Sequence, residues 1–211
     1  LILASTIGYG LIVCKFLKFK SSNIGLVGIF GLFFLSILSS YSHLIVPHNY
    51  IHNIVIIFIG LFFLKEFEKK RINEIKYLIS IFSLIFIFLL ISKTNEDFGY
   101  YHLPNSLQFS EQKLQFGLGN LNHGFKHISS LFQIMSLHYL PFFKFYLFNL
   151  TNFLFLIFLL VFVLEEIFKN FLKNHNISCI FLSLILIIFL SKFSRLSEYG
   201  SDLSGQIIIA I

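Results

Sequence analysis

Apolar residues run through this chain in long unbroken blocks separated by short clusters of charge, and the blocks lack the polar face of a surface helix or strand. Between Lys20 and Lys65 there is no Lys, Arg, Asp or Glu. At about 1.5 Å of rise per residue, a helix through this stretch is long enough to cross a ~30 Å hydrocarbon layer twice. Pro47, inside the polar cluster His43, Pro47, His48, Asn49, marks the turn, which places spans near 23–44 and 50–64. Further uncharged runs occupy 77–92, 145–164 and 177–191, each bounded by Lys or Glu on at least one side. Leu1 to Cys14 and Ile207 to Ile211 read as end spans cut short, so the chain is expected to be a fragment of a longer protein. The fold class expected is all-α: a polytopic transmembrane bundle of about seven spans, with 1–92 and 145–211 as helical portions and 93–144 as a long external loop carrying interfacial helices.

Composition agrees. The 211 residues are 56% hydrophobic and 12% charged, against roughly 45–50% and about 25% in soluble domains. That balance excludes an ordinary water-soluble globule as well as a disordered chain. Cys14 and Cys179 have neither a disulfide framework nor metal-ligand spacing around them and read as small buried hydrophobes.

Charge then gives an orientation, because loops must alternate sides and short Lys/Arg-rich loops stay cytoplasmic. Lys15, Lys18 and Lys20 put the first loop inside; the 44–49 turn carries no Lys or Arg; Lys65, Lys69, Lys70, Arg71 and Lys76 return the next loop inside. Continued alternation places 93–144 outside, 165–176 inside and 192–202 outside. The chain is thus expected to be an integral membrane protein with 93–144 on the outer face. The net charge of +6 reflects this loop bias, and no basic face with interleaved aromatics points to nucleic acid.

The spans so drawn contain no Asp, Glu, Lys or Arg, which argues against ion-coupled transport. Polar chemistry gathers instead in the two outside loops, which hold Glu96, Asp97, Glu111, Glu198 and Asp202, five of the ten carboxylates. Glu96 and Asp97 stand just beyond a span end, followed by Tyr100, Tyr101 and His102; a carboxylate there meets the polar head of a lipid-borne substrate, and the pair offers either a general base or oxygen ligands for a divalent cation such as Mg or Mn. The Gly/Asn-rich stretch 116–127 brings His123, Lys126 and His127 beside glycines that let backbone N–H groups approach an anion. Helix-like spacing predicts a helix lying on the outer membrane surface over 128–140, ended by Pro141, and a similar segment over 105–115. The loop 192–202 adds Arg195, Glu198 and Asp202. His48 and His52 have the i, i+4 spacing of a metal pair but no accompanying carboxylate or Cys, and read as interfacial polar caps.

Three motifs carry a resemblance: Glu96-Asp97-Phe98-Gly99-Tyr100-Tyr101-His102-Leu103-Pro104, Gly117-Leu118-Gly119-Asn120-Leu121-Asn122-His123-Gly124 and Arg195-Leu196-Ser197-Glu198-Tyr199-Gly200-Ser201-Asp202. Together they resemble a little-characterised family of bacterial polytopic membrane proteins and, more distantly, the C-type glycosyltransferases that use polyprenyl-phosphate sugars. That resemblance implies that Asp97, with Glu96 as neighbour, is the catalytic base or a metal-associated carboxylate. In that superfamily the acidic loop follows the first span, whereas about four spans precede it here. The expected function is sugar transfer from a lipid-phosphate donor at the outer face, with Tyr100, His102, His123, Lys126, Arg195, Glu198 and Asp202 as substrate-binding candidates. The partners are then the bilayer and the lipid-linked donor. An outer-leaflet polysaccharide polymerase or ligase, and a non-catalytic transporter or scaffold, are the competing readings.

Overall fold

The computed structural model describes residues 1–19, 23–66, 72–89, 97–127, 129–191 and 202–210. Among them are ten α-helices and no β-strand: α1 (Ile2–Phe16), α2 (Ile24–His43), α3 (Tyr50–Phe63), α4 (Ile72–Leu89), α5 (Leu103–Glu111), α6 (Leu118–Leu121), α7 (Ser130–Ser136), α8 (Leu150–Leu172), α9 (Asn176–Ser191) and α10 (Asp202–Ala210). The all-helical expectation holds. Among the described residues, two helical stretches, not about seven, are long and apolar enough to cross a membrane, Ile24–His43 and Phe145–Leu172, while α1, α3 and α9 are apolar but shorter.

Every side chain from Leu150 to Val161 is buried, so α8 is the spine on which the others pack, as expected of a helix apolar all round. Asn23 caps α2 by accepting from Leu26 N–H, and its amide donates to the carbonyl of Phe162 on α8 at 3.2 Å. Glycines set the helix spacing. A Cβ on Gly10 would lie 1.8 Å from the Val27 carbonyl oxygen, one on Gly31 2.0 Å from that of Thr6, and one on Gly8 1.9 Å from that of Gly60. The pairs 10–27 and 6–31 make α1 and α2 antiparallel, and small residues at these points let backbones touch, the packing used where lipid removes the hydrophobic drive between helices. Gly8→Ala therefore forces α1 from α3 and is expected to lower the yield of monodisperse full-length protein, read by size-exclusion chromatography; an unchanged profile would mean the two helices separate freely.

The remaining contacts put the helix ends in two groups. Tyr9 Oη donates to the Ile56 carbonyl at 2.7 Å, Phe82 and Phe86 pack edge-on against Phe153, and Cys179 Sγ donates to the Ile167 carbonyl. Ser204 on α10 hydrogen bonds Asn152 near the start of α8. The start of α3, the start of α8, the start of α10 and the end of α2 thus share one end with residues 97–149. Lys15, Lys65, Lys169 and Lys173 belong to the other. Outward faces of α3, α4 and α9 remain bare and apolar, including Phe58, Phe62, Leu84, Ile177, Phe181 and Ile187.

Several boundaries differ from those read in the sequence. α4 starts at Ile72, five residues before the uncharged run, because Glu74 sits favourably in a first helical turn. α8 continues past Leu164 to Leu172 since Glu165, Glu166 and Lys169 are good helix formers; Lys169 Nζ lies 2.9 Å from Glu166 Oε1 in an exposed i, i+3 pair of the kind that adds little stability. α10 opens at Asp202, not Ile207. α7 is only Ser130–Ser136, and it does not lie on the surface: Leu131, Phe132, Ile134 and Met135 are buried, and Ser40 of α2 hydrogen bonds Gln133.

Candidate functional site

Asp97 stands exposed where a single π-helical turn, Phe98–His102, leads directly into α5, whose first residue Leu103 donates its N–H to the Phe98 carbonyl; Pro104, which has no N–H to place, follows in the first turn. One helical repeat beyond Asp97, Tyr101 Oη donates to Asp97 Oδ2 at 3.2 Å. Burial, the Asp97 charge and this hydrogen bond, and then the charge of Asp202, all raise the Tyr101 pKa above the usual phenol value, so the hydroxyl stays a donor. Asp97 and Asp202, from different loops in the sequence, therefore act on one phenol. The Tyr101 ring lies 4.3 Å from that of buried His102 and 4.9 Å from that of His127, and His127 lies 5.3 Å from His123. Tyr100 is half exposed, its ring 6.1 Å from Tyr101.

Asn105 fixes the Gly/Asn loop to this turn. Its Nδ2 donates to the Tyr101 carbonyl at 2.8 Å and to the Gly124 carbonyl at 3.2 Å. Gly124 is required here: a Cβ would sit 2.6 Å from the Tyr100 carbonyl oxygen. Lys126 crosses Gly119, whose added Cβ would lie 2.9 Å from Lys126 Cγ. The structure thus gathers Asp97, Tyr100, His102 and His127 around Tyr101, with His123 next to His127 and Lys126 on the same loop. Glu96, Arg195 and Glu198 lie outside the described residues. Tyr101 and Asn105, which the sequence left out of the candidate site, complete the assembly together with His127 of the Gly/Asn loop; the i, i+4 spacing of Asp97 and Tyr101 is the signal that could have found the first.

No group of three or more His, Cys, Asp or Glu among the described residues is placed to hold a metal ion. The divalent-cation expectation for Asp97 depends on Glu96, and no chemistry is routed through a metal here.

Beneath this exposed layer lies a buried polar network. His48 is fully buried, not the surface cap its spacing suggested: its Nδ1 is 2.6 Å from Ser136 Oγ and its Nε2 3.0 Å from Ser42 Oγ. Nε2 also lies 3.1 Å from the Ser39 carbonyl, which can only accept, so Nε2–H donates there and Nδ1 accepts from Ser136 Oγ, a pattern satisfied by the neutral ring. Asn53 Nδ2 reaches three carbonyls, those of His48 and Ser136 at 2.8 Å and Tyr139 at 3.0 Å. His48 N–H donates to the Phe109 carbonyl and Leu114 N–H to the His43 carbonyl. The network fastens residues 105–139 to the ends of α2 and α3.

Burial, and then the charges of His52 and His43, push His48 down to about 3; burial alone takes His138, which contacts Thr151 Oγ1, to about 3. Both unfolded rings titrate near 6.5. The unfolded chain takes up protons first, so the stability these rings contribute is complete above pH 6.5 and is lost as pH falls toward 3. Thermal unfolding of the full-length protein is expected to drop across that window; a flat profile from pH 7 to 4 would contradict neutral, buried rings.

The comparisons with known proteins follow this geometry. A family described as a domain of unknown function, DUF8201, has a model that matches residues 1–211, and the chain belongs to that family. No curated protein matches the chain. No solved structure matches it either.

Proposed function

We propose that this chain is the membrane-spanning portion of a glycosyltransferase that takes a sugar from a polyprenyl-phosphate donor at the outer face. The bare apolar faces of α3, α4 and α9 support a bilayer location, since soluble monomers rarely expose contiguous apolar patches beyond a few hundred Å². The clustering of helix ends supports the alternating orientation, with the lysine-rich end cytoplasmic. The observation that carries the reading is the exposed Asp97 carboxylate, which accepts from the Tyr101 hydroxyl at the end of the helices away from Lys15, Lys65, Lys169 and Lys173. In this reading Asp97 removes the acceptor hydroxyl proton as that oxygen attacks the anomeric carbon. The bond from the anomeric carbon to phosphate oxygen breaks, its electron pair stays on polyprenyl phosphate, and Lys126 and His123 offset the charge. Asp97 then passes its proton to solvent.

The test is full-length protein in proteoliposomes supplied with radiolabelled polyprenyl-phosphate hexoses. Release of polyprenyl phosphate with label appearing in an acceptor is the expected result. Intact donors throughout would overturn the reading.

A further inference from the structure

Behind the Gly/Asn loop, α5 and residues 114–125 enclose a cavity of about 250 Å³. Its wall combines the amides of Asn105, Gln108 and Gln115 with the rings of Phe109, Phe116 and Phe125, and no ionisable side chain lines it. Gln108 Nε2 is buried and has no hydrogen-bond partner among the described residues. An amide N–H left without a partner at a cavity wall is costly unless something brings it an acceptor. Asn105 is already committed to the Tyr101 and Gly124 carbonyls, so Gln108 and Gln115 are the amides left to meet a ligand. Phe116 is almost wholly exposed at the rim, and Gly117, with φ +87°, makes the left-handed turn that carries it there.

Uncharged amides beside aromatic faces recognise a polyhydroxylated ring: hydroxyls meet the amides, and the apolar C–H face lies on the rings. A phosphate finds no cation inside, but Lys126 crosses Gly119 on the cavity wall. From this arrangement we infer that the cavity is a subsite for one neutral hexopyranose ring, with the charged part of the ligand left outside near Lys126. The inference rests on the glycosyl-transfer reading and adds to it a sugar-holding pocket joined to the Asp97 turn through Asn105.

The experiment is saturation-transfer NMR on the full-length protein in nanodiscs with methyl glucoside, methyl galactoside and methyl N-acetylglucosaminide, and with inorganic phosphate as control. At least one glycoside is expected to bind, phosphate not to displace it, and Gln108→Met to weaken it about tenfold, the effect of one lost hydrogen bond. Phe116→Ala, at an exposed rim position that folding does not need, is expected to weaken it as well. Absence of binding by all three glycosides, displacement by phosphate, or wild-type binding by both variants would overturn the subsite. Asp97→Asn separates the two proposals: if it transfers sugar normally the catalytic reading fails, while glycoside binding and its dependence on Gln108 stand or fall independently.

Discussion

Asn53→Leu is expected to detach the outer loop from the helix ends and to cost about 3–5 kcal/mol, because it takes the Asn53 donor away from the His48 and Tyr139 carbonyls and leaves the Ser136 carbonyl to the Tyr139 N–H. Asn53 is fully buried, and its one amide donates to the carbonyls of His48, Ser136 and Tyr139 while its oxygen faces His52 Nδ1 at 3.0 Å. Leucine nearly matches the volume but supplies no donor, so at least two acceptors lose their partners. The loss falls on one region: α1, α2 and α8 keep their own packing, whereas residues 105–139 lose their tie. Limited proteolysis of the full-length protein checks this. Cleavage between Gln112 and His127, with the helices spared, is the expected pattern, and protection equal to wild type would contradict it.

Asp97→Asn is the second large effect. Asparagine keeps the size and still accepts from Tyr101 Oη, so the turn survives, but an amide cannot take a proton from an attacking hydroxyl. General-base catalysis contributes about 10²–10⁴-fold, and that is the expected drop in turnover. Tyr101→Phe removes only the 3.2 Å hydrogen bond that orients the carboxylate. The residue positions Asp97 and touches no reacting atom, so turnover is expected to fall far less than in Asp97→Asn, with kcat lowered and KM unchanged.

Much of the scaffold was legible because membrane-type helices announce themselves by the absence of charge. Asn49 and Pro47 bracket the turn before α3, and Lys15, Lys65, Lys169 and Lys173 share one end of the helices. The errors arise where charge was taken as a boundary: Glu74 lies in the first turn of α4 and Lys169 near the end of α8, where the macrodipole favours them, and Glu165 continues α8 as a good helix former. The approach of Asp97 and Asp202 was not readable, since it depends on Ser204 meeting Asn152 more than fifty residues away in sequence. Nor was the burial of His48, because an isolated polar residue in an apolar run looks the same whether it faces headgroups or a serine on another helix. The cavity beside Gln108 likewise follows from how the loop folds back on α5, which local spacing does not encode.

One measurement bears most directly on the central claim that chemistry occurs at Asp97 on the outer end: single-turnover sugar transfer by full-length protein in right-side-out vesicles, wild type beside Asp97→Asn at equal protein levels. Transfer from externally supplied polyprenyl-phosphate hexose that falls at least about a hundredfold in Asp97→Asn is the predicted result. Equal rates in the two proteins would contradict it.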